Sequence, residues 1–80
     1  MQNAKEYKPI VYELVDMCNR QKELAKELSK KISKADGDEK MLAGLTNYLE
    51  KLDALEGALK DIVEPVEVSL YKDSAEKFAR

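Results

Sequence analysis

From Tyr7 to Ile32 the apolar positions return every three or four residues, at Tyr7, Ile10, Val11, Leu14, Met17, Cys18, Leu24, Ala25, Leu28 and Ile32. That spacing is the period of an α-helix and not the strict alternation of a strand. Pro9 suits a first turn, where its missing N–H costs little, so the pattern predicts a first helix over about 9–34. Ala35-Asp36-Gly37-Asp38-Glu39 then breaks the stripe, with Asp36 placed to cap a new helix and Glu39 to reach back to it. Met41, Leu42, Leu45, Tyr48, Leu49, Leu52, Leu55, Leu59, Ile62 and Val63 restore the helical period, predicting a second helix over about 37–63 that Pro65 ends or kinks. Beyond it Val66, Val68 and Leu70 alternate as in a strand, while Tyr71, Ala75, Phe78 and Ala79 keep helical spacing. A lone strand has no sheet to join, which favours a short third helix over about 66–80.

Two helices of about 39 Å, at 1.5 Å per residue, joined by a few residues predict an antiparallel hairpin within one small domain over 1–80. One register sets Leu28 opposite Leu45, Gln21 opposite Leu52, Leu14 opposite Leu59, Tyr7 opposite Val66 and Tyr48 opposite Ala25. It also brings together Glu13 with Lys60, Arg20 with Asp53 and Lys34 with Glu39, exposed pairs that select a register more than they stabilise it. The charge balance agrees: residues 1–35 carry eight basic and five acidic side chains, residues 36–64 three and eight.

Each helix is apolar at three heptad positions where a two-helix seam covers two. The surplus is Val11, Cys18, Ala25 and Ile32 on the first helix with Leu42, Leu49 and Val63 on the second. Ordering a chain costs on the order of 1.5 kcal/mol per residue, which a small core without disulfide or metal seldom offsets alone. The expectation is therefore an all-α protein, a long antiparallel hairpin plus a short third helix, completed to a bundle by dimerisation. Its predicted role is protein–protein interaction, as a homodimer or as a subunit, adaptor or inhibitor on a larger protein. The residues expected to line the contact are Val11, Ile32, Leu42, Leu49, Val63, Tyr71 and Phe78. Ala54, Gly57 and Ala58 form a small-residue patch on the second helix that a backbone could approach closely, and Gln21 is a polar residue in a core position that can fix register.

Composition narrows the chemistry. The chain has no His and no Trp, which removes Ser-His and Cys-His nucleophile pairs, His-ligated metals, the phosphotransfer histidine and the Trp-x-Gly turn of small secretion hairpins. Asp36-Gly37-Asp38-Glu39 does not make a calcium loop, because with Gly37 in the sixth position Ile32, Lys34 and Ala43 fall at the first, third and twelfth. Cys18 lies on the apolar stripe with nothing near it to lower its pKa, and reads as a packing thiol. No catalytic constellation, cofactor or metal is expected, nor a small-molecule ligand.

A single cysteine fits a reducing compartment, hence a cytoplasmic location, and no apolar run is long enough for a membrane span or a signal-peptide core. Helical spacing is still running at Arg80, leaving a complete chain and a piece of a longer protein both open. A second reading starts from Lys22, Lys26, Lys30 and Lys34, a basic ridge that could meet RNA or acidic lipid. Against it, Glu23 and Glu27 sit among the lysines, no aromatic is interleaved to stack on bases, and the net charge is −2.

Overall fold

The computed structural model describes the backbone of residues 3–78 and the side chains of residues 3–75. Two helices account for it, α1 (Ala4–Lys34) and α2 (Glu39–Phe78), packed as an antiparallel hairpin 65 Å long and 17 × 16 Å across. The turn between them is closed by the backbone. The Ala35 N–H donates to the Lys31 carbonyl (3.2 Å) and the Gly37 N–H to the Ile32 carbonyl (3.0 Å). Gly37 takes φ +60°, a left-handed conformation that a Cβ would strain, so this glycine is what the tight reversal requires. The cap of α2 is Asp38 and not Asp36 as expected: its Oδ1 accepts the Met41 N–H (3.1 Å), satisfying a donor of the first turn.

Both prolines lie inside helices. Asn3 accepts the Glu6 and Tyr7 N–H groups through its carbonyl, so α1 begins one turn before Pro9. At the other end the predicted third helix does not stand apart, because α2 runs unbroken through Pro65 to Phe78. An internal proline costs a helix about 3 kcal/mol through one lost hydrogen bond and a ring clash. Packing offsets it here: Val66 is buried with Ala4 and Val11, Val63 and Leu70 close around them, and the Tyr12 hydroxyl donates to the Glu67 carboxylate.

The seam is built from two clusters in series. Ala4, Val11 and Val66 form one, and Cys18, Leu52 and Leu59 the other, flanked by Val15 and Leu49. These heights follow the predicted register, but α1 is rotated about its axis by one heptad position. Val11, Cys18 and Ala25 face α2 where Tyr7, Leu14 and Leu28 were expected, and the small residues let the two backbones approach. Among the described residues no large side chain in the seam is fully buried, so the hairpin on its own has a thin core.

Candidate protein interface

The rotation of α1 decides which residues are left for a partner. Val11, expected on the contact surface, is only 7% exposed inside the seam. Leu49 and Val63 pack against the two core clusters, and Ile32 and Leu42 are half-buried. Tyr71 is 75% exposed on the last stretch of α2, where residues 71–75 are exposed throughout, and the Phe78 side chain lies outside the described residues.

What faces outward instead is a second heptad stripe. On α1 it comprises Tyr7, Ile10, Leu14, Met17, Leu24 and Leu28, with Ile10 64%, Met17 53% and Leu24 52% exposed. On α2 it continues at seven-residue steps through Met41, Tyr48, Leu55 and Ile62. The two halves share one side of the hairpin. The Tyr48 hydroxyl crosses between them to donate to Gln21 Oε1 (2.9 Å), and a groove of about 330 Å³ runs between Tyr7 and Ile10 on one helix and Ile62 and Pro65 on the other. The result is a continuous apolar face along both helices, with a hydrogen-bonded polar pair near its centre.

Sequence reasoning missed this face by taking its α1 half as the hairpin core. Both stripes obey the same period, and the signal separating them was size: Ala4, Cys18 and Ala25 allow close helix approach, which the bulkier stripe does not.

The opposite edge of the seam is polar. Lys22 is drawn between the helices, where its Nζ meets Asp53 (2.8 Å) and Glu56. Hydrogen bonds to Asp53 and then Glu56 raise the Lys22 pKa, and the same bond holds the Asp53 carboxyl below its ordinary range. Asp53 therefore pairs with Lys22 and not with Arg20 as the register had suggested. The engagement also takes the first lysine out of the expected basic ridge, since the Lys22 side chain is only 18% exposed, while Lys26, Lys30 and Lys34 remain exposed. Cys18 is buried, its Sγ 3.8 Å from the Leu52 carbonyl oxygen.

The small-residue patch stays open. Ala54 and Ala58 are exposed, and a Cβ added at Gly57 meets nothing within 4 Å. Among the described residues no group of three or more His, Cys, Asp or Glu side chains is placed to hold a metal, and no helix is long and apolar enough to cross a membrane. No family model, curated protein or solved structure matches the chain.

Proposed function

We propose that this chain is a non-enzymatic protein–protein interaction module that works through its exposed two-helix apolar face. One observation carries the reading: the larger aliphatic side chains of α1 lie outside the hairpin core, in heptad register with a matching row on α2. Burial is worth about 25 cal/mol per Å² of apolar surface, so a face of this extent in water is a standing drive toward association. Heptad order adds specificity, because it offers ridges and grooves to another helix pair and not a featureless greasy patch. The chain fits a homodimer or a small subunit, adaptor or inhibitor. A reducing, cytoplasmic setting fits its lone buried cysteine.

The alternative, binding of RNA or acidic lipid through basic residues, now draws on Lys26, Lys30 and Lys34 alone, with Lys22 engaged by two carboxylates.

The test is the paired variant Leu14→Glu with Leu55→Glu. Both positions are exposed, so helicity is expected to survive. The wild type is expected either to self-associate or to bind an apolar dye such as anilinonaphthalene sulfonate, and the variant to do neither. A wild-type chain that stays monomeric and binds no dye contradicts the reading.

A further inference from the structure

We infer that the occupant of the face is a second copy of this chain, docked with both hairpin turns at the same end so that α1 of each lies against α2 of the other. The inference rests on the interaction reading above and deepens it by naming the partner and its orientation.

Surface area gives the first argument. The chain exposes 6595 Å², whereas a compact folded monomer of 9.1 kDa exposes about 4,900 Å². The surplus, about 1,700 Å², exceeds the roughly 800 Å² each partner gives to a complex of ordinary size. It falls in the range of about 1,000–2,500 Å² per chain for permanent homodimers. A two-fold axis supplies a matching apolar face without any further protein, and two such hairpins face to face make a four-helix bundle.

Charge selects the orientation. The heptad position outside the apolar stripe of α1 holds Glu6, Glu13, Arg20, Glu27 and Lys34, acidic at three of its five places, and the one outside the stripe of α2 holds Lys51 and Lys72 without an acid. A two-fold axis along the helices sets the acidic rim of α1 beside the basic rim of the other copy's α2. A two-fold axis across the helices sets each rim against itself. The first arrangement preserves height, so the hairpin's own register, in which Val11 meets Val66 and Gln21 reaches Tyr48, also holds between copies. Glu27 then falls near Lys51 of the second copy, and Glu6 near its Lys72.

Gln21 supplies the third argument. Its Oε1 accepts from Tyr48, but its amide N–H₂ has no hydrogen-bond partner among the described residues, and it lies within the apolar face. Once the face is covered that donor needs an acceptor, and the Tyr48 oxygen of the second copy is at the right height. A polar pin at the centre of an apolar interface is a means of fixing register.

The experiment places a nitroxide on Asp36→Cys in a Cys18→Ala background and measures the distance between labels by pulsed electron spin resonance. Adjacent turns, with helix axes about 10 Å apart, predict labels within roughly 25 Å. Opposed turns on a 65 Å hairpin predict about 50 Å. If the labelled variant does not fold, a charge swap with native Cys18 carries the test. Glu27→Lys and Lys51→Glu singly are expected to weaken association roughly three- to five-fold, and together to restore it. A dimer with the long distance, or a swap that weakens further in combination, overturns the orientation and leaves the interaction reading standing. A monomer that binds dye overturns the second copy as occupant and assigns the face to a different protein.

Discussion

Two apolar rows lie side by side along α1 and are built differently. The row against α2 is Ala4, Val11, Cys18 and Ala25; the row turned to solvent includes Ile10, Leu14, Met17, Leu24 and Leu28. If the hairpin were the finished structure, the bulkier row would bury more apolar area in the seam and the smaller one would cost less outside. The observed arrangement makes sense when both rows are buried, the small one where two backbones must come close within a chain and the large one where separate hairpins meet. The seam sets the shape of the hairpin, and the face holds most of the apolar area still to be covered.

Matched leucines separate seam from face most visibly. Leu52→Ala, inside the seam, should cost about 2–5 kcal/mol of unfolding free energy, an effect that persists at every protein concentration. Leu55→Ala, on the face, should leave the isolated hairpin nearly unchanged and act through association, so its effect should grow with concentration. Denaturant melts of both variants over a hundred-fold range of concentration check this. Equal, concentration-independent losses would erase the distinction between seam and face.

Pro65 offers the next largest effect. Because α2 already continues through it, Pro65→Ala restores a hydrogen bond without altering the fold and should stabilise the chain by about 2 kcal/mol. A loss of stability would mean that packing near Tyr7 and Ile10 depends on the proline ring. Gly57→Ala should add about 0.8–1 kcal/mol from helix propensity, because a Cβ there enters open space. A loss there would place a close-packed partner on the small-residue patch and not on the apolar face.

The polar edge of the seam gives the mildest effect, read from pH. The Asp53 carboxyl is held low by Lys22, so its contribution is present above about pH 4 and is lost as pH falls through the folded value. The Lys22 ammonium is held high by Asp53 and Glu56, and the Tyr12 hydroxyl by its bond to Glu67. Both contributions are intact below about pH 10 and are lost as pH rises further. Melting temperature should be flat between these flanks. Lys22→Met should flatten the acid flank and Glu67→Gln the Tyr12 share of the alkaline one, and an acid flank unchanged in Lys22→Met would contradict the pairing.

The all-helical hairpin of two long helices, with its turn near Gly37, was legible in the sequence, because period, turn residues and lengths each point to it. The rotation of α1 was not, since two adjacent stripes of one period fit the same lengths and the same turn. It moved Val11 from the expected contact surface into the core and brought Leu14 and Leu28 out. The rule that proline ends a helix also misled. It is local, whereas Val66 and Leu70 are held by Ala4 and Val11 from the other end of the chain. The cap moved from Asp36 to Asp38 for a related reason, the turn being closed by backbone bonds that the residue types alone do not display.

Absolute mass by light scattering, over a wide concentration series and at low and high salt, tests most directly whether a second hairpin covers the face. The expected mass is twice 9.1 kDa, falling toward a single chain only on strong dilution, with salt shifting the midpoint slightly. A folded chain of 9.1 kDa at every concentration would contradict it.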